Sequence, residues 1–192
     1  MTKISIRVIT DCWLVFIGYW IISARGVKPV AERPDRVSSM AYLAYRVLLI
    51  LGSLLLWWRP LAYPLNWDLT PRTDLAHGIG AIVCAFGLFI AIWARNTLAG
   101  NWSSAVTFKQ GHELIQTGPY RFVRHPIYTG LLLMCLGTAI VRGHLSSWVG
   151  FLMQCTGFWI KLHQEESLML RHFPGEYAAY RSRVKALFPF II

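Results

Sequence analysis

The chain has 192 residues, of which 55% are hydrophobic and 15% charged, with a formal net charge of +10 and a mean hydropathy of +0.45. Soluble domains carry about 25% charged residues, so this composition excludes an ordinary water-soluble globule. The apolar residues fall in blocks, which points to a chain built for a bilayer.

In chain order, the blocks predict membrane spans at Val8–Ala24, Ala41–Trp58, Leu75–Leu98, Ile127–Val141 and Ser147–Leu162. A spanning helix needs about 20 mostly apolar residues, and the first three blocks meet or approach that length. Lys3 and Arg7 ahead of the first block resemble the start of a signal peptide, but no small-residue cleavage site follows, so the block reads as a retained helix. Arg46 lies inside the second block near one end, where a long cationic side chain snorkels to the interface or finds a partner. Residues 59–74 form an external turn. The fourth block is short and joins the fifth across Arg142-Gly143-His144 as a helical hairpin. The expected fold class is therefore an all-α integral membrane protein of about five transmembrane helices, the last two forming a hairpin. Residues 1–94 read as a scaffold of three helices and 95–192 as a catalytic region, the two making one structural domain.

The positive charge is placed asymmetrically. With five spans, one face carries thirteen Lys and Arg (25, 28, 33, 36, 95, 109, 121, 124, 161, 171, 181, 183 and 185) and the other carries five (3, 7, 59, 72 and 142). The positive-inside rule puts the richer face in the cytoplasm, the N-terminus outside and the C-terminus inside. The basic excess then serves topology and attraction to anionic headgroups, and no nucleic-acid partner is expected. Cys12, Cys84, Cys135 and Cys155 lie singly in four different blocks, as buried small hydrophobes do. No Cys or His spacing suits a metal, so no metal is expected. Neither a glycine-rich phosphate loop nor strand-like alternation is present.

Nearly every candidate functional group lies beyond residue 94, in three clusters on the same face. The first is Arg95 to Ser103, with Trp102. The second runs through His112, Glu113, Leu114 and Ile115 to Gly118-Pro119-Tyr120 and Arg124-His125-Pro126-Ile127-Tyr128. The third is His163-Gln164-Glu165-Glu166, followed by Phe173, Glu176-Tyr177, Tyr180, Arg181 and Arg183. Pro126 suits the first turn of a helix, so His125 caps the fourth span beside free backbone N–H donors of the kind that bind anionic or polar ligand groups. Glu165 and Glu166 extend the last helix past the membrane, and one of them can face inward to receive a cationic ligand group. Each feature has a plainer alternative: Arg121 and Arg124 as anchors, Tyr120, Tyr128 and Trp102 as an interfacial aromatic belt, the two glutamates as a solvated face, and His125 as a cap alone.

Taken as an ordered series, Arg95-xx-Leu98-x-Gly100-x-Trp102-Ser103, His112-x-Leu114, Gly118-x-Tyr120, Arg124-His125-Pro126-x-Tyr128, Glu165-Glu166 and Phe173-xx-Glu176-Tyr177-xx-Tyr180 resembles the isoprenylcysteine carboxyl methyltransferase family. These are integral-membrane enzymes that use S-adenosylmethionine, release S-adenosylhomocysteine and are related to phospholipid N-methyltransferases. The resemblance covers roughly residues 95–190. It implies that Thr107, His112, Leu114, Ile115, Tyr120, His125, Pro126, Ile127, Tyr128 and Glu165 bind the cofactor, with Glu166 the other carboxylate able to fill that role. It implies substrate contacts from Lys161, standing where an arginine is expected, and from Trp102. Glu165, Glu166, Arg95 and Arg181 are the expected catalytic groups. Ala99 replaces the usual glycine of its pattern. The implied partner is a lipidic or isoprenoid-bearing acceptor that arrives through the bilayer. The implied location is a membrane with the site on the cytoplasmic side, in the short five-span form of prokaryotic inner-membrane members.

Methyl transfer from a sulfonium is a displacement with an activated donor, so the protein must mainly align the reactants and exclude water. A carboxylate acceptor is ionised at neutral pH and needs no general base, but it does need a cation to position it. An amine must first lose a proton. Carboxyl O-methylation is the leading expectation. N-methylation of a phospholipid headgroup, a non-catalytic membrane scaffold and a fold-related NADPH-dependent reductase are the alternatives.

Overall fold

The computed structural model describes residues 2–26, 30–32, 39–58, 65, 67–102, 108–109 and 113–189. Six α-helices account for most of them: α1 (Thr2–Ser23), α2 (Ser39–Trp57), α3 (Asp74–Leu98), α4 (Pro126–Arg142), α5 (Leu145–His172) and α6 (Pro174–Arg183). A short antiparallel ribbon pairs β1 (Val30–Glu32) with β2 (Phe108–Lys109). Strands of three and two residues are too short to leave a period-2 pattern, so the ribbon had no signal in the sequence.

Local chemistry sets the helix ends. Thr73 caps α3 by accepting the Ala76 N–H at 3.2 Å, and Asp74 in the first turn complements the helix dipole. Pro126 opens α4, and Gly143 closes it with φ 73°, the left-handed cap that glycine adopts without strain. The hairpin therefore turns at Arg142-Gly143-His144. Segments at 3 to 23, 40 to 57 and 74 to 101 are long and apolar enough to cross a membrane, while α4 is a shorter apolar helix. α5, though 28 residues long, carries Ser146, Ser147, Gln154, Thr156 and Lys161 among its first 18 and is not one of these spans, and its last turns carry the polar groups of the site.

Glycine sets how closely the helices approach. A Cβ on Gly87 of α3 would lie 2.5 Å from the Gly130 carbonyl oxygen of α4, and one on Gly80 would lie 2.8 Å from that of Gly137. These pairs are seven residues apart on both helices, so one small-residue seam runs along α3 and α4. Gly52 and Gly150 repeat the arrangement between α2 and α5, where Gln154 also donates to the Leu49 carbonyl at 3.0 Å and to Ser53 Oγ at 2.8 Å. α1 is tied to α4 by Trp13 Nε1 donating to Thr138 Oγ1 at 3.0 Å.

At the hairpin end, the α2–α3 connection closes over the turn. Leu69 N–H donates to the Gly143 carbonyl at 2.7 Å, Leu145 N–H donates to that of Trp67 at 2.7 Å, and His144 Nδ1 lies 2.9 Å from Asp68 Oδ1. At the opposite end, the last turns of α5, all of α6 and the segment leading into α4 gather around one cavity. Arg46 stays at that end and donates to the Tyr42 hydroxyl at 3.0 Å.

Candidate active site

Gly118-Pro119-Tyr120-Arg121 forms one 3-10 turn, and the chain then extends through Arg124 and His125 before Pro126 starts α4. Tyr120 is buried, and its carbonyl accepts the Tyr180 hydroxyl at 2.5 Å, which fastens α6 over the turn. His125 (φ −124°, ψ 59°) caps α4. Its ring stacks on Tyr128 with centroids 5.4 Å apart and an interplanar angle of 4°, and Tyr128 stacks on Phe158 at 4.9 Å.

Two of the backbone donors around the start of α4 are engaged by the chain itself. Arg124 N–H donates to the Lys185 carbonyl at 2.8 Å and His125 N–H to that of Ala186 at 2.9 Å.

The two adjacent glutamates point different ways because neighbours on a helix differ by about 100°. Glu166 is 3% exposed. Its Oε1 accepts from Arg124 Nε at 2.8 Å and Nη2 at 2.7 Å and lies 3.2 Å from His125 Nε2, while Oε2 lies 3.5 Å from Arg181 Nε. Burial works to raise its pKa, but His125 and Arg124 outweigh that and hold it down to about 2. A carboxyl depressed on folding contributes stability that is complete above its ordinary value and is lost as the pH falls toward the folded value. Thermal unfolding measured from pH 6 to pH 2 is expected to show a loss of stability that steepens below about pH 4.5. Glu166→Gln is expected to flatten that part of the curve; an unchanged curve would remove Glu166 as its source.

Glu165 faces the cavity. Its Oε1 accepts the Tyr128 hydroxyl at 2.6 Å and lies 3.9 Å from Lys161 Nζ, and Oε2 lies 3.8 Å from His125 Nδ1. His125 thus stands between both carboxylates. The Lys161 ammonium is held over two aromatic rings, 5.1 Å from the Tyr128 centroid and 5.9 Å from that of Tyr45.

The cavity between these groups has a volume of about 380 Å³, within the range of small-molecule sites. Trp102, Leu114, Ile115, Tyr120, His125, Ile127, Tyr128, Lys161 and Glu165 line it together, with Glu113, Tyr177 and Tyr180. Pro126 and Glu166 lie directly behind this wall. Arg181 is half-exposed, on the outer side of Glu166. Arg95 is buried away from the cavity: it donates to the carbonyls of Ser23 at 2.6 Å and Ala99 at 2.7 Å, and its guanidinium sits 4.6 Å from the Trp102 ring centroid. Ala99 has φ 46°, so this turn is strained where a glycine would not be. Thr107 and His112 lie outside the described residues.

The wall also includes Leu98 at the end of α3 and Asn101 just after it, both within the Arg95–Ser103 cluster, and residues that sequence reasoning passed over: Phe16 and Trp20 from α1, and Leu131, Phe158, Leu168 and Met169. Of these, Phe16 and Trp20 had the best signal, since they stand one turn apart with Trp13 on the same side of α1.

Residues 75–176 match the family described as phospholipid methyltransferase. Among curated proteins, the protein-S-isoprenylcysteine O-methyltransferase of Xenopus laevis is 31% identical over 116 residues, covering 59% of this chain and 40% of that protein. The protein of the same name from Saccharomyces cerevisiae is 29% identical over 122 residues, covering 62% and 51%. The chain spans about half the length of these relatives. A solved structure of a eukaryotic intramembrane Ras methyltransferase, an isoprenylcysteine carboxyl methyltransferase, superposes with a TM-score of 0.57 at 24% identity, covering 84% of this chain and 55% of that one. That likeness shows a shared fold.

Proposed function

Since the chain belongs to the phospholipid methyltransferase family, we propose that it is an integral-membrane methyltransferase that uses S-adenosylmethionine to methylate the carboxylate of a hydrophobic, isoprenoid-bearing acceptor. The observation that carries this reading is the cavity wall, where the Glu165 carboxylate, the His125–Tyr128–Phe158 ring stack and the Lys161 ammonium meet.

The donor set fits the cofactor. A carboxylate beside aromatic faces suits a molecule that carries a cationic centre and an aromatic base. Leu114, Ile115, Tyr120, His125, Ile127, Tyr128 and Glu165 would hold it, with Pro126 fixing the start of α4. His112 and Thr107 belong to the same proposed set. When bound, S-adenosylmethionine supplies an already activated methyl group. Lys161 receives the acceptor's carboxylate, and its ammonium, half-wrapped by Tyr45 and Tyr128, holds that group still. Trp102, Phe16 and Trp20 shield the acceptor's apolar portion and keep water out. Glu166 holds Arg124 and His125 in place, Arg181 screens its outer oxygen, and Arg95 supports the turn that presents Trp102. The site faces the cytoplasm, where a polar cofactor is available, and the acceptor arrives through the bilayer.

N-methylation of a phospholipid amine is the second reading, favoured by the description of the family itself. The Lys161 ammonium in the wall opposes it, because an ammonium acceptor would meet like charge there.

Calorimetric titration of the detergent-purified protein with S-adenosylhomocysteine tests the cofactor, and Glu165→Gln and His125→Ala are each expected to weaken binding about tenfold or more. Labelled methyl transfer then compares an S-prenylated N-acyl cysteine with phosphatidylethanolamine. The prenylated acid is expected to be methylated, and Lys161→Met is expected to raise its KM more than it lowers kcat. Absence of S-adenosylhomocysteine binding to folded wild type would withdraw the proposal. Transfer to the amine alone would move it to the second reading.

A further inference from the structure

The segment Val184–Leu187, which follows α6 and lies outside residues 75–176, runs alongside the start of α4. Val123 and Lys185 form a parallel bridge. Successive carbonyls then accept from the site's main chain: Lys185 from Arg124 N–H at 2.8 Å and Ala186 from His125 N–H at 2.9 Å. The next carbonyl, that of Leu187, accepts the Thr129 hydroxyl at 2.7 Å. The Arg124 guanidinium also reaches the carbonyl of Val184 and, at 3.3 Å, that of Arg181. Ala186 and Leu187 are each 5% exposed and pack in one cluster with Ile127, Tyr128 and Leu162.

We infer that Val184–Leu187 is a positioning strap for the site, with Thr129 as its latch. This rests on the reading of the cavity as a cofactor pocket. Arg124 and His125 stand ahead of the first helical residue, so their N–H groups have no partner within α4; the helix holds His125 through its carbonyl, which accepts the Thr129 N–H at 3.0 Å and lies 3.3 Å from the Thr129 hydroxyl. The strap supplies the partners for those two N–H groups. With both N–H groups paired to neighbouring carbonyls, the peptide planes of Arg124 and His125 are set. The ring of His125 is thereby aimed between Glu165 and Glu166, and the fork of Arg124 onto Glu166 Oε1. The strap acts through its main-chain carbonyls, while Ala186 and Leu187 anchor it in the cluster that holds Ile127, Tyr128 and Leu162.

The main-chain acceptors cannot be removed by substitution, but the latch can. Thr129→Val keeps the side-chain shape and removes the donor, leaving the buried Leu187 carbonyl without it, whereas Thr129→Ser keeps the donor. The experiment pairs hydrogen–deuterium exchange of the full chain in detergent with S-adenosylhomocysteine titration. Thr129→Val is expected to speed exchange over residues 122–126 and 184–187 without altering the α3–α4 seam, and to weaken binding about fivefold. Thr129→Ser is expected to stay within about twofold of wild type in binding and to keep its protection. Leu187→Asp, which breaks the apolar anchor, is expected to produce the same local exchange and a larger loss of affinity.

Wild-type exchange in Thr129→Val would overturn the strap. Faster exchange with unchanged affinity would overturn its positioning role. Equal impairment in Thr129→Ser and Thr129→Val would assign the effect to packing and overturn the latch. A wild type that is folded and binds no S-adenosylhomocysteine would instead overturn the proposed function, and the strap would stand or fall on exchange alone.

Discussion

Arg124→Met is expected to lower the stability of the folded protein by about 3–5 kcal/mol, the range found when one partner of a buried ion pair is removed. Both partners of the Arg124–Glu166 pair are nearly closed to solvent, and two nitrogens of the arginine converge on one carboxylate oxygen. The same guanidinium holds carbonyls on α6 and just after it. Without it, the buried negative charge of Glu166 is left to the His125 ring nitrogen at 3.2 Å and half-exposed Arg181 at 3.5 Å. Thermal unfolding in detergent measures the effect, and adding Glu166→Gln to Arg124→Met is expected to recover a large part of the loss. A single variant that melts with wild type would show that the pair does not hold this end of the bundle together.

Gly87→Ala is the second large effect, about 3 kcal/mol of destabilisation, at the upper end of what overpacking a well-fitted interface costs. The new Cβ would stand 2.5 Å from the Gly130 carbonyl oxygen, 2.8 Å from Met134 N and 2.9 Å from Leu133 Cβ. Two of these are backbone atoms, which no rotamer change can move aside, so α3 and α4 must separate. Because α4 begins at the site, the separation also displaces His125. Gly78, on the same helix, supplies the comparison: a Cβ there meets nothing within 4 Å. Gly78→Ala is expected to stabilise the helix by about 0.5–1 kcal/mol. Melting curves of the two variants should move in opposite directions. Equal shifts would mean that the close approach at Gly87 is not what limits the seam.

The hairpin, its turn and the start of α4 were legible in the sequence because Pro126 and Gly143 are strong local punctuation. The polar cluster was legible as an ordered series: Arg124, His125, Glu165 and Glu166 each had a plainer reading alone, but their sequence order pointed to one site, and the fold brings them into contact. Which glutamate faces the cavity was not legible, since that depends on the rotation of α5 against α4. In water, an amphipathic pattern would supply the rotation; in a bilayer, lipid and core are both apolar and the pattern fades. The same loss of contrast hid Phe16 and Trp20, which read equally well as lipid-facing rings. Arg95 was read as a catalytic cation, and its place against two carbonyls depends on where α1 ends, a distance of 72 residues along the chain. The strap escaped notice because four residues pairing through their main chain leave no mark in side-chain chemistry.

The length of α4 has a further consequence for the depth of the site. Its 17 residues rise about 26 Å at 1.5 Å each, against a hydrocarbon thickness of about 30 Å. None of them is exposed, so the shortfall falls inside the bundle, against neighbouring helices rather than lipid. With the hairpin turn at one interface, the start of α4 would stop below the other, and Arg124 and His125 would open on a recess rather than on bulk water. An acceptor of the proposed kind would meet the site there with its chain still in oil and only its charged end at the waterline.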